Sequence, residues 1–251
     1  MLRLIDERSA AFRAAVTAAP GLELRVPTCP EWTLLDLARH LGGVHRRWAA
    51  IVSAGPADAP PDKSDSQVAG TAPQQREALL AWSAASTQQL LDALREAGPD
   101  RGCWTWWGES QSPQTTGAVA RHQVQEVTVH TYDAQNTVGA PEPLPDEAAL
   151  DGVDEFMSTC SSGPYPWPYA PAAVEFHAAE GGSWHLSLGA DGVLATRLSA
   201  PGQGLEAADA SARGTAAELV LVLYGRLPLD TWKIDGDRRQ FELLRDWDPD
   251  A

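Results

Sequence analysis

The sequence predicts two domains of different class, an antiparallel four-helix bundle over residues 1–140 and a small α+β domain over residues 141–251. Three observations carry this prediction. Apolar residues recur at helical spacing in four segments of the first half. The stretch APEPLPDEAA after Gly139 is proline-rich and acidic, as joints between domains are. Beyond it the pattern changes to short alternating runs punctuated by glycine turns. With 251 residues, each part has enough chain to bury its own core.

The first helix is read from Leu2, Ile5, Ala11, Phe12 and Val16, and Pro20 and Gly21 stop it. A second opens at Thr33, whose hydroxyl can cap the free amides, with Asp36 three residues on as the acidic half of a capping box. Trp32 and Leu37 flank that cap as a hydrophobic staple, and Leu34, Leu37, Leu41, Val44 and Trp48 continue the apolar stripe. Residues 54–73 hold four prolines and few large apolar groups, which reads as a loop. Leu79, Leu80, Trp82, Leu90, Leu91 and Leu94 mark a third helix, ended by Gly98 and Pro99. The aromatic loop CWTWWGESQSP follows, and a fourth helix runs from about Pro113 to Val138.

In the second part, LDGVDEFMSTC reads as a short amphipathic helix. AVEFHAA, WHLSL and VLATRLSA read as strands, with a turn at Asp191 and Gly192. GTAAELVLVLYGR is a helix with Thr215 and Glu218 as its capping box and Gly225 at its end. TWKIDGD and the amphipathic RRQFELLRDW complete the domain. His177 and His185 fall within these strands and are expected to face solvent.

A formal charge of −15 argues against a sequence-independent grip on nucleic acid or on an anionic membrane, both of which need clustered Lys and Arg. Small-molecule ligands are the better expectation. No signal peptide and no apolar run of membrane-spanning length are legible, so a soluble cytoplasmic protein, monomeric or homodimeric, is expected. Three cysteines without a CxxC pair, Cys29, Cys103 and Cys160, fit a reducing compartment.

Within the fourth helix, RHQVQEVTVHTYDA spaces Glu126 and His130 four residues apart. Four residues turn a helix by about 400°, so both side chains leave one face, roughly 6 Å apart along the axis. His40 on the second helix supplies a third donor. His122 shares the face of Glu126, but it lies about 12 Å along the helix from His130, too far for one ion with bonds near 2 Å. His45, about 500° from His40, points elsewhere and reads as a surface or packing residue. Asp36 is assigned to the helix cap, and Asp133 either supports His130 or holds the helix end. Two imidazoles and one carboxylate leave an open position on a divalent ion, the pattern of catalytic zinc. Such an ion can activate a thiol, activate water for hydrolysis, or simply be bound, and the residues alone leave all three open. Trp104, Trp106 and Trp107 either wall a substrate pocket or pack ordinarily. Arg226, at the end of the second-domain helix, either reaches an acidic substrate as a bidentate donor or complements the helix dipole.

VPTCPEWTLLDLARHLGGVHRRW and QEVTVHTYDA, with LDGVDEF and GTAAELVLVLYGR following in order, resemble the actinobacterial mycothiol-dependent maleylpyruvate isomerase-like proteins. The resemblance covers nearly the whole chain. It implies a DinB-like four-helix metal-binding domain followed by a sterol-carrier-like α/β unit. It makes His40, Glu126 and His130 the metal ligands, with zinc as the expected metal and mycothiol as the thiol cosubstrate. Gln125, Thr131 and Tyr132 depart from the family's usual residues and leave the ligand set intact. The implied chemistry is addition of a thiolate to an electrophilic small molecule. That addition ends either in cis–trans isomerisation of an enone acid or in transfer of the thiol.

Overall fold

The computed structural model describes residues 1–61, 72–199 and 207–247. They fall into two compact units, Met1–Gly108 with Gln114–Pro143, and Glu109–Pro113 with Leu144–Ala251. The first unit contains four long helices, α1 (Leu2–Ala18), α2 (Leu34–Ala54), α3 (Arg76–Ala97) and α4 (Thr116–Thr137). Their stripes meet in a core that includes Phe12, Val16, Leu34, Leu37, Leu41, Leu79 and Val127. Each such side chain contributes roughly 1.5–3 kcal/mol by leaving water.

Local chemistry sets the helix ends. The Thr33 hydroxyl accepts from the Asp36 amide while the Asp36 carboxylate accepts from the Thr33 amide, a complete capping box that opens α2. Gly55 and Gly98 close α2 and α3 with φ of 78° and 71°, a region that favours glycine. Thr115 caps α4, which therefore starts at Thr116 rather than at Pro113. Of the loop expected over 54–73, residues 62–71 lie outside the described residues.

The four helices bundle as expected, but their directions are mixed. α2 and α4 run antiparallel, with His40 level with Glu126 and Trp48 level with His122. α1 and α3 also run antiparallel, with Arg13 at Thr87 and Arg76 at the carbonyls of Val16, Thr17 and Ala19. In contrast, α2 and α3 run the same way. Gly42 lies against the Trp82 ring, where an added Cβ would clash, and Arg46 donates to Ser86 one turn further along both helices. A parallel pair needs a long connection, and 21 residues separate Ala54 from Arg76. A short antiparallel hairpin, β1 (Arg25–Val26) and β2 (Cys29–Thr33), leads into α2. His45 is neither exposed nor at a rim: it is 1% exposed, with Nδ1 3.3 Å from the Thr87 hydroxyl.

In the second unit, α5 (Asp146–Phe156) runs into a π-helical turn over Met157–Ser161. Five strands follow, β3 (Ala172–Ala178), β4 (Ser183–Gly189), β5 (Gly192–Leu198), β6 (Ala210–Gly214) and β7 (Lys233–Gly236), in sheet order β5-β4-β3-β6-β7. Only β3 and β6 pair in parallel. Residue 200, the end of the expected run VLATRLSA, lies outside the described residues. The β4–β5 loop is Ala190–Asp191, and Gly192 opens β5 with φ of 125° where an added Cβ would clash with the Gly163 carbonyl, so a side chain fits neither the backbone nor the space. α6 (Ala216–Leu223), with its Thr215–Glu218 capping box, and α7 (Arg239–Asp246) complete the unit. Phe176, Trp232 and Phe241 form the aromatic core on one side of the sheet. On the other side His177 and His185 are 6% and 1% exposed, so the expectation that they face solvent is corrected. Alternation gives the side of a strand a residue occupies, not whether that side is covered. Among the described residues, no helix is long and apolar enough to cross a membrane.

Candidate metal centre

The capping box at Thr33 fixes the start of α2, and His40 follows about two turns later on the side facing α4. Glu126 and His130 come from successive turns of α4. His40 Nε2 lies 2.8 Å from Glu126 Oε1, and His130 Nε2 lies 3.4 Å from the same oxygen. Donor atoms from all three residues fall within 4.8 Å of one another, the single such group of three or more among the described residues. Two ring nitrogens directed at one carboxylate oxygen suit a divalent cation with bonds of about 2.0–2.2 Å, and three ligands leave at least one position for an exogenous group.

The supporting shell is built from the hairpin and from the end of α4. Asp133 Oδ2 lies 2.8 Å from His130 Nδ1, and the Thr28 hydroxyl donates to Asp133 Oδ1 at 2.6 Å. A carboxylate on Nδ1 sets the tautomer in which Nε2 offers its lone pair. Asp133 thus does more than hold a helix end, whereas Asp36 is engaged with Thr33 as the cap. The Cys29 thiol donates to the same carboxylate, 3.9 Å from Asp133 Oδ2. Trp32 packs its ring over His40 at 4.7 Å and over His130 at 6.0 Å. Thr28 and Cys29 lie within the quoted segment, but a pairing across 105 residues has no local signature.

Charge distribution favours a cation here. Burial alone would raise the Glu126 pKa, yet hydrogen bonds from His130 and His40 hold it well below the usual carboxylate range. Burial would lower the His130 pKa, but Asp133 and Glu126 on its two nitrogens raise it to about 9. The imidazole of His130 thus sits between two carboxylates that attract positive charge. The His40 side chain is 33% exposed and that of Glu126 20%, against 8% for His130, so one flank of the centre is open.

His122 stays apart from the triad. Its ring lies 5.1 Å from Trp107, 5.5 Å from Trp106 and 6.3 Å from Trp48. Trp104 stacks on Trp48 at 6.4 Å, Trp107 is buried, and Trp106 remains 46% exposed. The three loop tryptophans therefore split between packing and an exposed aromatic face. Arg226 belongs to the other unit, just beyond Gly225, and donates to the Tyr224 carbonyl at 2.7 Å.

A family model described as the mycothiol maleylpyruvate isomerase N-terminal domain matches residues 2–135. A second, for the C-terminal domain of the same proteins, matches residues 147–243. Among solved structures, a mycothiol-dependent maleylpyruvate isomerase is 17% identical with a TM-score of 0.59, the match covering 93% of this chain and 91% of that one. A histidine-to-alanine mutant of that enzyme gives 16% identity with the same TM-score and coverage. At this identity the likeness speaks for the fold. The search of curated proteins gives no match.

Proposed function

Because the chain belongs to the mycothiol maleylpyruvate isomerase family, we propose that it is an enzyme that activates a low-molecular-weight thiol, such as mycothiol, for addition to an electrophilic small molecule. His40, Glu126 and His130 would hold a divalent cation, with zinc the first candidate. The observation that carries this reading is the convergence of their three donor atoms on an open flank. When bound, the cation would lower the pKa of the thiol and hold it as thiolate at neutral pH.

The chain's own residues do the rest. Asp133 and Thr28 fix the His130 ring and its tautomer. Trp32 covers the two imidazoles and keeps water from that side. Trp106, the exposed one of the three loop tryptophans, serves as pocket wall. Addition of the thiolate to a cis enone acid turns its double bond into a single bond. Rotation about that bond and loss of the thiolate give the trans acid and return the thiol unchanged. If the thiol is not lost, the product is the S-conjugate. The names of the solved neighbours favour isomerisation. The same reading places the protein in the reducing cytoplasm, as a monomer or homodimer.

The test is turnover of maleylpyruvate with and without mycothiol, in metal-loaded protein, chelator-treated protein and the His40→Ala and Glu126→Gln variants. Turnover that needs both metal and thiol is expected. Dependence on metal alone would favour activated water, and turnover in neither condition would favour a binding protein.

A further inference from the structure

On the side of the sheet opposite Phe176, the thiol chemistry leaves a polar cluster unused. Strand register sets Glu175 of β3 between His185 of β4 and Ser211 of β6, and His177 between Ser183 and Arg213. Glu175, His177 and His185 are buried at 5%, 6% and 1% exposure. His177 Nε2 is 3.2 Å from Glu175 Oε2, and His185 Nδ1 is 3.6 Å from the other oxygen, Oε1. The second nitrogen of His177 lies 2.9 Å from the Ser183 hydroxyl. A cavity of about 410 Å³ opens over this face, lined by Glu175, His177, Asp209, Ser211, Arg213 and Asp235 among others.

Ser183, His177 and Glu175 in a row suggest a nucleophile relay, but Ser183 is 4% exposed and does not line the cavity. A substrate in the cavity would meet Glu175 and His177 instead. We propose that Glu175 and His177 bind a divalent transition-metal cation from this cavity, with Ser183 orienting the imidazole. Donors 3.2 Å apart subtend about 100° at an ion with bonds of about 2.1 Å, so one ion can reach both atoms. Ser183 can accept from Nδ1–H and thereby leave the Nε2 lone pair to the ion, the outer-shell pattern of metal sites. Burial and Arg213 lower the pKa of His177, so the imidazole is in its neutral, ligating form at pH 7. Three cavity carboxylates stand against one guanidinium, and that guanidinium is 3.7 Å from Asp235. Water from the cavity completes the coordination.

The test removes the first centre. Metal-free His40→Ala/His130→Ala double variant is titrated with Co²⁺ and followed by calorimetry and visible absorption. One equivalent per chain is expected, with a rise in thermal midpoint. Glu175→Gln or His177→Gln added to that background should weaken it by more than about tenfold, and Ser183→Ala by about tenfold, in the range of outer-shell losses, with circular dichroism unchanged. A double variant that binds no Co²⁺, or whose binding survives Glu175→Gln and His177→Gln, overturns the proposal. Because both arms lack the first centre, the result is independent of the thiol reading.

Discussion

His45 should make the protein acid-sensitive in a defined window. The imidazole is buried in the bundle, its Nε2 has no partner among the described residues, and burial lowers its pKa from 6.5 to about 4. Between these values the unfolded chain binds a proton that the folded chain refuses, so stability is full above pH 6.5 and is lost as pH falls towards 4. At about 1.36 kcal/mol per pKa unit, the loss at pH 5 is about 2 kcal/mol and approaches about 3 kcal/mol below pH 4. His45→Leu keeps a similar volume and removes the titration. Urea unfolding of chelator-treated wild type and variant, followed by tryptophan fluorescence at pH 7 and pH 5, isolates the effect, since Glu126 and His130 titrate in both proteins. The wild type should lose about 2 kcal/mol more than the variant between the two pH values. Parallel losses in the two proteins would refute the reasoning.

Asp133→Asn removes the charge that orients His130, and a competition assay against a chromophoric chelator should show metal affinity down by about ten- to a hundredfold. Thr33→Ala deletes the α2 capping box and should cost about 1 kcal/mol in denaturant unfolding, with Thr33→Ser restoring most of it. Gly192→Ala forces a side chain onto a backbone with φ of 125° against the Gly163 carbonyl, and calorimetry should show a loss of at least about 1–3 kcal/mol.

Features whose cause is local could be read from the sequence. The Thr33–Asp36 and Thr215–Glu218 boxes, and the stop at Gly225, depend on neighbours within a few residues, and each is present. Helical rotation puts Glu126 and His130 together, and a second amphipathic helix bearing an inward imidazole supplies the third donor. The remainder depends on long-range packing. The parallel course of α2 and α3 rests on contacts such as Arg46 to Ser86, 40 residues apart, which have no local sequence code. β1 is two residues long and β2 five, too short to establish a period. Nothing near position 45 or position 177 distinguishes an imidazole under a neighbouring element from one in water. The Thr28–Asp133–His130 chain joins the hairpin to α4 and became legible only once both were placed.

The most direct test of the proposed metal-thiol centre is the absorption spectrum of the Co²⁺-loaded protein on addition of mycothiol at neutral pH. A thiolate-to-cobalt charge-transfer band should appear in the wild type at about one thiol per chain and be absent from His40→Ala and His130→Ala. Cobalt bound stoichiometrically through His40, Glu126 and His130 with no such band at saturating mycothiol would contradict thiol activation at this centre.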